Sequence, residues 1–522
     1  MDYWIRDNRI WIVLVFALYI LTVFSSIFAI GVFYDYYILG KRLFSTLFLC
    51  LLGIVIPFCK FAKTKWNIDF QKINILFFTG ISTIISIVAL FQIYVTKTWC
   101  TPNSPLVTFD NTAGVVACLI ALLPYILYLA CRQSRIIGGV IFLLITFVLL
   151  SVKSRSGGIA LVVVSSFYMF VELNGSKYRK KKYFFQGITI ILFLLLSCLF
   201  IPLKYDSAMG RLLIWIVSAG MIIERPLTGY GVGGFDRYYM DYQAKYFETY
   251  PNSRFLMVAD NVKCPFNEYI HFLVDFGILG LLALVSFIIF VCFLYSRSHS
   301  QYKNVYTSSI LGLSIVACFS YPSLYPFTYI ITIISVIGLS FQIFRNYIQR
   351  NRIWKYVRIC VFVLSFTTLS YIAKRTYYEH LLTMYIEYGK RTSLNSFIKE
   401  SRYYLFDKAR VAYESGNFPL SAKMLRTCLD RRADYNLNLH IGEVYINMNQ
   451  LKEARQHLTK AHYMCPSRFY PLYYLAIINE KEHNKKEMRD LCREIINKPV
   501  KIYSQDVLII KHKARLMIRN NK

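Results

Sequence analysis

The sequence predicts an all-α fold: a polytopic membrane helix bundle of about eleven spans, a large external loop and a C-terminal α-solenoid. Three observations predict it. Of 522 residues, 56% are hydrophobic and 17% aromatic against 17% charged, a balance foreign to soluble domains of this size. Apolar runs of about 17 to 25 residues, enough for a ~30 Å hydrocarbon core, recur from near Ile10 to near Ala373. From Lys374 onward helical periodicity continues, but polar residues break every run.

The runs fall near 10–33, 43–59, 73–95, 114–131, 136–152, 156–173, 183–203, 268–295, 306–324, 326–345 and 354–373. The first is long and no small-residue cleavage site follows it, so it reads as a retained anchor. Lys and Arg number 60 against 29 Asp and Glu, a formal net charge of +31. Positive residues crowd the cytoplasmic loops of membrane proteins, and with Arg6 and Arg9 inside, the loops "KFAKTKWNIDFQK", "CRQSR", "GSKYRKKKY", "SRSHSQYK" and "RNYIQRNRIWKYVR" are all inside and all basic. That placement accounts for the excess charge without nucleic acid, for which no basic, aromatic-interleaved module is present. It also sends the long loop 204–267 and the tail 374–522 outward, dividing the chain into a membrane domain, 1–373, and a repeat domain, 374–522.

In the tail, "ESGNFPLSAKMLRTCLD" and "NMNQLKEARQHLTKAHYMCP" align with Gly416 over Asn449 and Ser421 over Ala454, and a weaker third copy comes after them. Small residues share columns: Ala409, Gly442 and Ala476 in one, Cys428 and Ala461 in another. This pattern resembles tetratricopeptide repeats, which stack into a superhelix that usually binds a partner. A packed helical cap without a partner is the plainer alternative.

Most of the thirteen cysteines lie in apolar spans, where a thiol is a small hydrophobe. Cys100 and Cys264 lie in outward loops; they either pair in an oxidising compartment or stand as two thiols.

The stretch "GRLLIWIVSAGMIIERPLTGYGVGG" is the most unusual. Leu212–Ile223 is too short to span, and Arg211, Glu224 and Arg225 are costly in hydrocarbon. It reads as a helix at the outer interface, with Trp215 at headgroup depth. Pro226 stops it, and the glycines beyond permit close approach of a ligand to the backbone. Guanidinium binds phosphate through a planar fork, so arginines beside such a turn suit a diphosphate headgroup.

Arg211 with Trp215 and "PLTGYGVGGF", preceded by "KSRSGG" and followed by "FNEYIHFLVDFGILGL", resembles the O-antigen ligase and polymerase superfamily over about 150–282. The resemblance implies a bacterial inner-membrane glycosyltransferase with no metal or other cofactor. It would move a glycan from undecaprenyl diphosphate to an acceptor hydroxyl on the periplasmic side. Arg155 and Arg211 then hold the donor diphosphate, with Arg225 and Arg237 in reserve, and Trp215, Gly229, Gly231, Asn267, Gly277 and Gly280 are motif positions. Where many ligases carry histidine before the asparagine, this chain has Phe266, which leaves the base open. His271, about 140° round a helix from Phe266, and the carboxylates Glu268, Asp236 and Asp260 are the candidates, the carboxylates being equally suited to pairing with arginine.

The expected partners are the lipid-linked glycan, membrane lipids, an acceptor (lipid A-core, a growing chain or a protein) and a protein at the repeats. A transporter of lipid-linked glycans and a non-catalytic scaffold remain as alternatives. Transporters usually carry charge within their spans, and here the distinctive charge sits in one loop.

Overall fold

A computed structural model describes residues 2–31, 33–58, 70–98, 105–172, 205–348, 353–388 and 396–520. The expected span 183–203, Cys100, and all or part of three of the basic loops lie outside these residues. In chain order the helices are α1 (Asp2–Phe28), α2 (Leu39–Val55), α3 (Phe70–Leu90), α4 (Thr112–Tyr128), α5 (Arg135–Ser151), α6 (Arg155–Glu172), α7 (Tyr205–Glu224), α8 (Gly234–Thr249), α9 (Glu268–Arg297), α10 (Lys303–Ala317), α11 (Pro326–Ile348) and α12 (Ile353–Tyr388). In the tail come α13 (Arg402–Glu414), α14 (Phe418–Leu429), α15 (Tyr435–Asn447), α16 (Leu451–Met464), α17 (Tyr470–Lys481), α18 (Lys485–Asn497) and α19 (Gln505–Asn520). Among the described residues no β-strand forms. Two compact units result: one of Met1–Leu203, Phe266–Glu268 and Leu284–Thr392, the other of Lys204–Pro265, Tyr269–Ala283 and Ser393–Lys522.

The first unit is built around α4. Every residue from Gly114 to Tyr128 is buried, as expected of a helix that is apolar all round. Around it pack α3, α5, α6, α10 and α11. Close approach needs small residues: a Cβ on Gly312 would lie 2.9 Å from Ile120 Cγ2, and Ser309 Oγ donates to the Ala121 carbonyl at 2.6 Å.

Among the described residues seven helical segments are long and apolar enough to cross a membrane: Ile10–Phe28, Gln71–Val95, Thr112–Gln133, Arg155–Glu172, Tyr205–Glu224, Glu268–Arg297 and Tyr356–Glu387. The protein is therefore a membrane protein, but eleven spans are not what the described residues give. Arg135–Ser151 and Pro326–Phe341 are shorter apolar helices, and the runs expected at 43–59 and 306–324 form helices of 17 and 15 residues. The second of these ends at Ala317, and Pro322, with no N–H to offer, opens a separate 3₁₀ turn, Pro322–Leu324. One run went the other way: the supposed short interfacial helix is α7, 20 residues long. It extends back to Tyr205 because "YDSAMG" is helix-compatible and Asp206 sits in its first turn, where the helix dipole favours an acid.

In the second unit, the tail is a succession of helical pairs, α13/α14, α15/α16 and α17/α18, followed by α19. Each pair turns through a residue in the left-handed region: Gly416 (φ 78°), Asn449 (φ 59°) and His483 (φ 59°). Such a residue after the last helical turn is a common helix stop, and its recurrence fixes the repeat frame. The columns of small residues are buried: Ala409, Gly442 and Ala476 in one, Cys428 and Ala461 in the other.

Candidate functional site

The candidate residues fall in both units. In the second, Arg211 and Trp215 lie one turn apart on α7 and so share a face. Trp215 Nε1 donates to the Pro265 carbonyl at 3.0 Å, tying this helix to the far end of the loop.

The glycine turn after α7 is clasped by the first half of α9. Tyr230 N–H donates to the Val274 carbonyl at 3.0 Å and Gly231 N–H to the Asp275 carbonyl at 2.8 Å, while Ile278 N–H donates to the Pro226 carbonyl at 2.8 Å. Glycine is required at the two closest points. A Cβ on Gly229 would lie 2.5 Å from the Asp275 carbonyl, and one on Gly277 2.5 Å from the Pro226 oxygen, both at positive φ. Gly277, with φ 58° and ψ −146°, breaks α9, and the carbonyl–amide pairing with 226–227 takes over where its helical bonds fail. Gly280 packs against the Phe272 carbonyl across the same break. The close approach that the glycines permit is thus an approach of the chain to itself, while Gly231 and Gly233 border open space.

Asp275 is the residue that the sequence reading missed. Buried to 5% exposure, its Oδ2 accepts from Gly233 N–H and its Oδ1 from Phe235 N–H, both at 2.9 Å. One carboxylate so caps α8 and holds the turn, as an anion at a helix N-terminus should. An acidic residue inside the apolar run "HFLVDFGILGL" was the available signal, since burial of a charge demands partners. His271 is one turn before it, its Nε2 3.7 Å from Asp275 Oδ2, and its ring meets Phe235 edge-on at 6.0 Å. Around the turn, Arg225 lies over the Tyr230 ring at 4.7 Å and Arg237 over Tyr238 at 5.0 Å; both arginines are exposed.

Asp236 and Asp260 prove to be arginine partners. Asp236 Oδ1 is 3.1 Å from Arg432 Nε and Asp260 Oδ1 2.8 Å from Arg468 Nη2. Burial alone would raise the Asp260 carboxyl, but hydrogen bonds from Arg468 and the Asn261 N–H, with the charges of Arg468 and Lys501, hold it below the usual carboxylate range. That suits it poorly to accept a proton at neutral pH.

Arg155, Phe266, Asn267 and Glu268 belong to the first unit. Arg155 opens α6, where Ser154 Oγ accepts from Gly157 N–H at 3.1 Å; a cation is the wrong sign for a helix N-terminus. Glu268 is buried, its Oε1 accepting from Ser323 N–H at 3.0 Å and Ser323 Oγ at 2.5 Å. Phe266 has a φ of 52°, a region where histidine is enriched and bulky residues are rare, and its ring meets Tyr321 edge-on at 5.4 Å. From there a polar chain continues: Asn111 Nδ2 donates to Tyr321 Oη at 3.0 Å, and Tyr325 Oη donates to Asp110 Oδ1 at 2.9 Å. Beyond it, buried Lys41 donates to the Tyr37 carbonyl at 2.8 Å and to that of Thr108. Among the described residues no group of three or more His, Cys, Asp or Glu side chains is placed to hold a metal ion.

These features define a class: a helical membrane protein in which arginines accompany a glycine turn locked by a broken helix. Residues 104–285 match the family model described as O-antigen ligase, a stretch that includes Arg155, Arg211, the turn and Gly280. The match supports a membrane ligase or polymerase that transfers glycans. No curated protein and no solved structure matches the chain.

Proposed function

We propose that the chain is a bacterial inner-membrane glycosyltransferase that moves a glycan from an undecaprenyl-diphosphate carrier to an acceptor hydroxyl on the periplasmic side, as ligase or polymerase of a surface polysaccharide. The observation that carries this reading is the family match over 104–285, within which the arginines and the glycine turn succeed one another in order. In this reading the bond between the anomeric carbon and the carrier phosphate oxygen breaks as the acceptor oxygen bonds to that carbon. The diphosphate leaves as an anion. Arg155 and Arg211, with Arg225 and Arg237 beside the turn, neutralise the charge as it develops, a role for which guanidinium is preorganised and always charged; no metal is needed for it. The backbone amides around the turn serve the fold instead, so side chains bear the recognition.

The acceptor proton goes to His271, we infer, with Asp275 behind the imidazole to stabilise its charged form. Glu268 is the second candidate, and its Oε1 already serves Ser323. The tetratricopeptide reading of the tail rests on the repeated left-handed turns and buried small-residue columns.

Arg211→Ala is the test. The reading expects transfer to fall by about a hundredfold or more, with normal amounts of protein in the membrane. Unchanged transfer would remove Arg211 from the site and turn attention to a scaffold or transporter.

A further inference from the structure

The second unit joins two stretches far apart in sequence, and the contacts between them recur with the repeat. Three turns link each helical pair of the tail to the next helix, and each contributes a residue to the loop that runs from α8 to Pro265. From the first, Arg432 reaches Asp236 at 3.1 Å, Ala433 N–H donates to the Arg237 carbonyl at 2.8 Å, and Asp434 Oδ2 accepts from Asn261 at 3.1 Å. From the second, Arg468 pairs with Asp260 at 2.8 Å. From the third, Lys501 lies 4.0 Å from the same carboxylate. Asp434, Arg468 and Lys501 stand one repeat apart, so the turn edge of the tail meets the loop, joined by Lys460 of α16, which pairs with Asp241 on α8 at 2.7 Å.

Arg432 and a further residue between the stretches, Gln243, are buried side chains whose contacts are costly to lose. Gln243 on α8 has no exposed surface. Its Nε2 donates to the Met464 carbonyl at 2.6 Å and the Asp260 carbonyl at 3.0 Å, and its Oε1 accepts from Tyr239 at 2.9 Å. Arg432 is 4% exposed and faces the first turn of α8, the same turn whose N–H groups Asp275 holds. A shift of the tail edge therefore moves Arg237 and the glycine turn.

We infer that the repeat tail is a positioning brace: its turn edge holds α8 and the loop, and through them sets the place of Arg225 and Arg237. The edge is thereby occupied by a segment of the same chain, rather than kept for a recruited protein. The catalytic consequence rests on the proposed donor site. Arg432, Arg468 and Gln243 are positioning residues in it.

The experiment uses the full chain in nanodiscs, with Arg468→Glu, Asp260→Arg and the double swap, since both positions are about half exposed and tolerate a changed charge. Each single variant is expected to raise amide exchange across 234–249 and to lower kcat/KM for the lipid-linked donor, each about tenfold, with kcat/KM and exchange largely restored in the double swap. Exchange unchanged in the single variants would overturn the brace. Exchange raised with transfer unaltered would leave a clasp without a catalytic role and equally overturn the proposal. If the unmodified protein transfers no glycan, the enzymatic reading fails on that result alone, while the exchange measurements still judge the clasp.

Discussion

In the first unit many helix hydroxyls are satisfied on their own helix, beside polar ties between segments such as Glu268–Ser323, Asn111–Tyr321 and Lys41–Thr108, whereas the loop of the second unit is held to the tail and to α9 by ties between segments. In the helix bundle the hydroxyls of Thr22, Ser26, Thr79 and Ser82 donate to carbonyls three or four residues back on their own helices, and the buried stretch of α4 contains no charged residue. In the second unit Gln243 and Asp275 are buried and hydrogen-bond to other parts of the chain, and buried Arg432 forms an ion pair with Asp236. A lipid-facing bundle coheres mainly by shape, its polar groups satisfied on their own helix or by a neighbouring one. The loop buries Phe235, Tyr239, Met240, Phe247 and Phe255, and a few specific polar contacts fix where that apolar surface sits, so single substitutions there should loosen it.

The largest expected effect is at the break in α9. Gly277→Val places a branched side chain at positive φ against the backbone of 226–227, at a cost of about 3 kcal/mol or more; limited proteolysis of the loop at 25 °C should show it opened. Gly231 has an even more positive φ, 83°, but open space around it, so Gly231→Ala should cost only about 1 kcal/mol. Equal effects at the two positions would mean that backbone crowding is not what the turn depends on.

Next comes Asp275→Ala, which strips the acceptor from two backbone N–H groups and should cost about 2–4 kcal/mol. Asp275→Asn should fall between. In the bundle, Ser309→Ala removes a single neutral hydrogen bond and should cost about 1 kcal/mol. Thermal unfolding in one detergent would rank the three, and a Ser309→Ala penalty matching that of Asp275→Ala would erase the contrast between the units.

The last effect is a pH slope confined to the tail, absent at neutral pH and growing only on acidification. Burial, with help from nearby cations, pushes His457 and His462 down to about 4 from 6.5. The unfolded chain therefore binds more protons than the folded one between these values, so stability is complete above about 6.5 and is lost as pH falls toward 4. Melting curves from pH 7 to 4 should decline, and His462→Gln should flatten the decline. The clasp at Asp260, its carboxyl held low by Arg468, should be steady over the same range.

The parts that were legible in the sequence obey local rules. The repeat frame was visible from glycine and small-residue spacing, because a left-handed stop and a close helix crossing each tolerate few residue types; even so, the third stop, at His483, carries no glycine to announce it. The spans were legible as apolar runs but not as lengths: the helix of the run 306–324 ends at Ala317, and the polar start of α7 extends another beyond its apolar run. Asp275 and Lys41 were missed for the opposite reason. A charge inside or beside an apolar run announces that each needs partners, but not which: Asp275 takes the backbone of 233–235 and Lys41 the Thr108 carbonyl beside that of Tyr37. The glycine spacing suggests room for a ligand, whereas Gly229 and Gly277 accommodate the chain's own backbone.

The central claim is transfer of a carrier-linked glycan, and the most direct measurement is the undecaprenyl-linked pool, profiled by mass spectrometry beside the surface polysaccharide after deletion of the gene. The account predicts accumulation: single repeat units on the carrier for a polymerase, long carrier-linked chains for a ligase, restored to normal by the intact gene and not by Arg211→Ala. A pool unchanged by the deletion, with surface glycan intact, would contradict it.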